Sequence, residues 1–231
     1  MDIPIPEGLE LISEDVSTAE WLDPGLLPIG NRDGWPVRVG SLVPPGFETC
    51  ARICHSWDRA DRGPQVGSLS AEEVARLTPI LADSTGTPES SWFCLWDGFG
   101  FWPGGIHASW PVGEPPSRIR EKRRAAEQKA AQELMKLSSI SRASVHRSTD
   151  GTESLRSFFL FHGRLVAVSN LYFDGRYQSP NYWWPEDRLW CVVTDIDARS
   201  TYVAGDTNLL TALKNSPLHA MEVSREERLD A

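Results

Sequence analysis

At 231 residues with 40% hydrophobic side chains, the chain is long enough to bury a substantial core, as one large domain or two small ones. A formal net charge of −9 and a pI near 5.1 argue against general attraction to nucleic acid or anionic lipid, and favour neutral or cationic partners. No apolar run approaches the roughly 18 to 20 residues that span a bilayer, and MDIPIPEGLE lacks the basic and apolar regions of a secretory signal, so a soluble cytoplasmic protein with no membrane partner is expected.

Residues 1–36 read as an acidic, irregular arm. Seven acids from Asp2 to Asp23 precede the first base, Arg32, and Pro4, Pro6, Pro24 and Pro28 interrupt regular structure. Only Thr18–Leu22 suggests a helical turn. Residues 37–231 read as a single α+β domain with an insertion at 114–154. Strand patterns begin with VRVGSLV, continue past a turn at Pro44–Gly46, and resume in FETCARICH, where Phe47, Thr49, Ala51 and Ile53 alternate with Glu48, Cys50, Arg52 and Cys54.

After a polar loop, Ser70 and Glu73 form the capping-box pattern, and Val74, Leu77 and Leu81 fall on one helical face, predicting a helix over 71–82. WFCLWDGFGFW is apolar on both parities and reads as a buried strand. The insertion holds EPPSRIREKRRAAEQKAAQELMKL, a predicted helix over 118–137, then a weakly structured link. RSFFLFHGRLVAVS reads as two strands joined at His162–Gly163. LWCVVTDI and STYVAG follow, completing an antiparallel meander. Asp206 or Thr207 caps a last helix over 207–214, stopped by Asn215 and Pro217. The expected architecture is a mostly antiparallel sheet of about six strands, flanked by helices.

Four cysteines at 50, 54, 94 and 191 read as reduced core thiols. Cys50, Cys54 and His55 suggest a metal set, but strand positions four apart lie about 13 Å from each other, too far for two thiolates on one zinc. No metal site or cofactor is assigned. Nucleophile elbow, phosphate-loop and dinucleotide patterns are missing too, so no catalytic residue is assigned.

Chemistry is most concentrated in SPNYWWPEDRLWCVVTDID. In a strand, Leu189, Cys191 and Val193 share a face with Asp195 and Asp197, so carboxylates emerge where the chain leaves the core. Trp183 and Trp184 point to opposite sides. Either these residues close the core and start turns, or an indole is a stacking platform that Arg188 and nearby acids orient. The same two readings hold for Trp96 and Asp97. The ligand-binding candidates are thus Trp183, Trp184, Arg188, Asp195, Asp197, Trp96 and Asp97. Seven bases against three acids over 118–136 form a basic patch, with Arg120, Arg123 and Arg124 as nucleic-acid candidates.

SPNYWWPEDRLWCVVTDIDARSTYVAG, with GSLVPPGFETCARICH and TPESSWFCLWDGFG, resembles an uncharacterised protein family of high-GC Gram-positive bacteria. The resemblance implies a bacterial cytoplasmic protein and no particular mechanism, and the basic insertion departs from the shorter link expected there. The leading expectation is a non-enzymatic binding or regulatory protein, immunity-like, whose acidic, tryptophan-rich edge holds a protein partner or small polar ligand. The alternatives are a hydrolase of glycan-like substrates acting through carboxylates such as Asp97 and Asp195, and a nucleic-acid accessory protein acting through the insertion helix.

Overall fold

The computed structural model describes residues 5–27, 37–58, 63–99, 139–147, 154–173 and 175–229. The predicted helix over 118–137 and the bases Arg120, Arg123 and Arg124 lie outside the described residues. Among the described residues no helix is long and apolar enough to cross a membrane.

The main sheet has nine strands, all paired antiparallel, against the six expected. They are β1 (Leu9–Ile12), β2 (Thr49–Cys54), β5 (Ser91–Trp96), β6 (Ala143–Arg147), β7 (Ser154–Gly163), β10 (Tyr182–Pro185), β11 (Cys191–Val193), β12 (Ser200–Gly205) and β13 (Met221–Glu222). Two-stranded ribbons pair β3 (Trp57–Asp58) with β4 (Gly63–Pro64), and β8 (Tyr172–Phe173) with β9 (Arg176–Tyr177). The sheet order is β1-β7-β5-β10-β11-β12-β2-β13, and β6 shares the β1 flank of β7.

Strand alternation divides the apolar residues into two cores. Phe93, Trp183, Val192, Val203, Ile53 and Phe161 pack on the first face under α1 (Ala71–Ala82) and α2 (Thr207–Lys214). Cys94, Trp184, Cys191, Val193, Tyr202 and Leu160 pack on the second. That face has no α-helix among the described residues: Ala19 and Leu22, from a 3₁₀ turn over Ser17–Leu22, cover it together with Val39, Leu42 and Val43. Both faces are therefore dry, which explains why the central strands read as unbroken apolar runs.

Both α-helices fall at their predicted positions. The Ser70–Glu73 capping box is formed, and the Asp206 carboxylate accepts the Leu209 N–H at 2.8 Å.

Several strand expectations are corrected. VRVGSLV is not a strand: Val39–Ser41 is a 3₁₀ turn, because Val39, Leu42 and Val43 share one side of a coil and bury together. His162–Gly163 is not a hairpin turn either. β7 runs through both, and a Cβ on Gly163 would lie 2.4 Å from the Gly8 carbonyl oxygen, so the glycine lets the β1 segment approach. The chain then forms a 3₁₀ turn over Leu165–Asn170, burying Leu165 and Val168 at a spacing of three. The strand expected over 189–196 is limited to Cys191–Val193, although it is central, with β10 and β12 on its two sides. Leu9–Ile12 in the arm and Ala143–Arg147 in the expected flexible link are both strands. Of the cysteines, Cys50, Cys94 and Cys191 are buried free thiols, but Cys54, at the end of β2, is exposed.

A buried polar chain ties the loop after β4 to the sheet. His55 Nδ1 faces the Gln65 carbonyl, so this nitrogen carries the proton and donates. His55 Nε2 then accepts from the Thr201 hydroxyl at 2.9 Å, and Thr201 accepts from Thr194 at 2.7 Å. Burial lowers the His55 pKa below its ordinary 6.5, outweighing the hydrogen bond to Gln65 and the field of Glu73, which act upward. Below pH about 6.5 the unfolded chain takes a proton that the native imidazole refuses, so His55 contributes stability above that pH and loses it as pH falls through its folded pKa. The melting temperature should therefore fall between about pH 7 and pH 5 more steeply in the wild type than in His55→Gln, as followed by circular dichroism.

Candidate functional site

The predicted site residues are divided between the two ends of β10 and β11, and two are withdrawn from the surface altogether. Trp183 and Trp184 are both fully buried, on opposite faces as alternation requires. Trp183 meets Trp190 edge-on at 5.9 Å, and Trp184 meets Trp21 edge-on at 5.8 Å. Neither offers a ring to solvent.

At one end stand the acids. Asp195 and Asp197 both engage Arg156, at 3.4 Å and 3.1 Å. Asp195 Oδ1 also accepts the Asp197 N–H at 3.0 Å, which closes the turn toward β12. Asp97 lies 3.6 Å from Arg142, whose guanidinium covers the ring of Phe159 at 3.8 Å. Trp96 packs edge-on against Phe99 at 5.3 Å, and its backbone N–H donates to Asn181 Oδ1 at 2.8 Å.

Asp97 with Arg142 belongs to the first face, beside Phe159, whereas Asp195 with Arg156 belongs to the second, beside Tyr182. The two carboxylates do not converge on one pocket. Burial raises the pKa of both; Arg156 opposes this at Asp195, as Arg142 does at Asp97.

The Asp195 side chain is only 13% exposed, so its charge depends on Arg156. Arg156→Met is expected to raise the Asp195 pKa further in an NMR titration. It should also destabilise the fold by about 2 kcal/mol at neutral pH, a loss that shrinks as pH falls and Asp195 takes up its proton.

The other end is formed by the β10–β11 turn, and two of its charged side chains serve structural roles. Glu186 accepts the Trp92 indole N–H at 2.6 Å. Asp187 accepts from the Thr85 hydroxyl at 2.7 Å and the Gly86 N–H at 2.8 Å, tying the turn to the loop after α1. Arg188 differs. Its φ is +54°, in the left-handed region, and its guanidinium carbon lies 5.2 Å above the Trp21 ring. The carboxylates beside it thus fasten the turn, and the arginine is left at a surface cleft.

That cleft has a volume of about 350 Å³ and is lined by Trp21, Phe47, Glu48, Arg188, Leu189 and Asp206, among others. Its walls come from four chain segments: the arm, the loop that turns at Gly46 with φ +100°, the β10–β11 turn and the start of α2. Trp21 is wedged between Phe47 at 6.2 Å and Trp184. Leu189, expected to face the core, is 56% exposed at the rim. Beyond Phe47 and Glu48, which line both, a second groove of about 560 Å³ continues past Thr49 toward Glu222 and Glu227. There Arg225 is turned inward, donating to the Val43, Gly25 and Gly40 carbonyls.

Of the predicted residues that are described, only Arg188 borders this cleft. Trp21, Phe47 and Glu48 were not singled out from sequence, because their role depends on the arm docking over Trp184, far away in the chain. Among the described residues no three His, Cys, Asp or Glu side chains are placed to hold a metal ion. No protein-family model, curated protein or solved structure matches the chain.

A left-handed backbone costs a residue with a Cβ about 1 kcal/mol more than it costs glycine. Arg188→Gly and Arg188→Ala both remove the guanidinium, so the difference between them isolates the backbone. The glycine variant should be the more stable by about 1 kcal/mol in urea melts.

Proposed function

We propose that the chain is a non-enzymatic binding or regulatory protein, cytoplasmic and immunity-like, that holds a segment of a protein partner in the cleft between Trp21, Phe47 and Arg188. The observation that supports this is the cleft itself: a concave patch with exposed apolar and aromatic surface, bordered by charges and continuous with a second groove. At about 350 Å³ it lies at the small end of ligand sites, and with the adjoining groove it suits an extended segment better than a compact molecule.

The acidic end of the sheet supports no such reading. Arg156 neutralises Asp195 and Asp197 there, and Asp97 has its own arginine on the other face. Hydrolysis by paired carboxylates requires two of them facing one substrate at roughly 5 to 9.5 Å, and this arrangement lends that no support.

Leu189 gives a sharp test because it is exposed and its loss should cost the fold little. Affinity capture from the native cells is compared between wild type and Leu189→Arg, and the captured protein is then purified and rebound. The wild type is expected to bind it and to show slowed hydrogen exchange at residues 45–48 and 188–189. Leu189→Arg should bind at least tenfold more weakly, with an unchanged melting temperature. A partner held equally well by both proteins, with protection elsewhere, would place binding outside the cleft.

A further inference from the structure

The proposed cleft has a chemical preference that its residues make explicit. One face of Trp21 already carries a cation, the Arg188 guanidinium at 5.2 Å, inside the roughly 6 Å range of cation–π attraction. This resident cation is loosely held. Arg188 is exposed, forms no ion pair among the described residues and sits in a backbone conformation that its side chain disfavours. An exposed contact of this type is weak, so a competing cation can replace it.

The surrounding charge favours such a competitor. Glu48 and Asp206 line the same cleft and are both exposed. Glu48 accepts from the Thr207 hydroxyl at 2.6 Å and more distantly from the Thr207 N–H, while Asp206 Oδ1 receives the Leu209 N–H at 2.8 Å. An ionised carboxylate has about four acceptor positions, so both keep capacity for another donor. The second groove adds Glu227, which accepts the Ser224 N–H at 2.7 Å, while its Glu222 is already paired with Lys214 at 2.8 Å; Arg225, the one arginine among its described lining residues, is directed at backbone carbonyls. The chain's net charge is −9, and with the four excess positive charges of residues 118–136 set aside the remainder carries −13. Long-range attraction therefore acts in the same sense as the local groups.

We propose that the cleft takes a lysine or arginine side chain of a partner's extended basic segment on the face of Trp21 that Arg188 now covers, with Glu48 and Asp206 as counter-charges. Leu189 and Phe47 receive an apolar neighbour of that cation. This rests on the cleft being the binding surface, and it adds which partner chemistry the cleft selects. Arg188 then acts as a gatekeeper: it occupies the site in the free protein and yields to a cation that brings further contacts.

The experiment uses the full chain and three capped peptides, Ser-Leu-Lys-Leu-Ser and its counterparts with acetyl-lysine or glutamate at the centre, titrated by calorimetry at low and moderate salt. The lysine peptide is expected to bind saturably, at least about tenfold more tightly than the acetyl-lysine peptide, and several-fold more weakly at the higher salt. Arg188→Gly should bind it several-fold more tightly, because the competing guanidinium is gone. Asp206→Asn should weaken it several-fold while retaining a helix cap, since asparagine caps as well as aspartate does.

Equal affinity for the lysine and acetyl-lysine peptides, with both lost in Leu189→Arg, would overturn the cation preference while leaving the cleft as the docking surface. Weaker binding by Arg188→Gly would overturn the exchange of cations. No saturable binding of any peptide up to about 1 mM would overturn the proposal as well, and hydrogen-exchange protection by the captured native partner then decides separately whether the cleft is used at all.

Discussion

Four residues, Tyr182 to Pro185, determine how the rest of the chain must be arranged. β10 lies at the centre of the sheet with β5 and β11 on its two sides, and its tryptophans project one to each face. A buried indole removes about 150 to 250 Å² from water, worth an upper bound of roughly 4 to 6 kcal/mol each at 25 cal/mol/Å². Neither face can then be left wet. The first is closed conventionally, by two amphipathic helices. The second has no α-helix among the described residues, so the arm and the 39–43 turn close it with Leu22, Val39, Leu42 and Val43. The acidic arm is thus part of the core's construction, and β1 fixes its start against β7.

Two dry faces also decide where charge can go. Strands buried on both sides cannot alternate polar with apolar residues, so ionisable groups collect where strands end. The two ends then separate by how completely those groups are satisfied. Around Asp195 the acids and arginines pair with each other at 3.1 to 3.6 Å, an arrangement that keeps partly buried charges tolerable. Around Arg188 the acids of the turn are spent on Trp92, Thr85 and Gly86, which leaves the arginine to find an aromatic face. That inequality makes the second end the better candidate for recognition.

The parts of the structure that local chemistry controls were legible in the sequence. The capping box at Ser70 and Glu73 and the cap at Asp206 mark helix starts through bonds three residues apart, so neighbours in the chain suffice to place them. The opposite projection of Trp183 and Trp184 follows from strand geometry alone. Short apolar stretches were not legible in the same way. Val39, Leu42 and Val43 suit a 3₁₀ turn, yet VRVGSLV equally suits a strand, and the docking of Leu27 and Arg225 against Gly40 decides between them. Gly163 resembles a turn glycine until Gly8 is known to lie against it. Of the proposed site, the turn carrying Arg188 was visible, but Trp21 was not, since nothing near it in sequence reveals that it will stand over Trp184.

The cleft follows from covering a sheet face with irregular chain. Helices laid side by side close the spaces between them, whereas a single 3₁₀ turn over Ser17–Leu22 reaches only as far as its side chains. Of these, the half-buried Trp21 lines the cleft, which opens between it and the loop at Pro45–Glu48. Two of its four walls are held differently: Arg188 and Leu189 belong to a turn fastened by Asp187 to the body, while Trp21 belongs to an arm held by packing and by β1. On the proposed function, a segment lying in the cleft would touch both at once and so reinforce the arm's closure of the second face. Recognition and the integrity of that core would then be coupled through the same indole, which would tie the proposed binding surface to the least regular part of the fold.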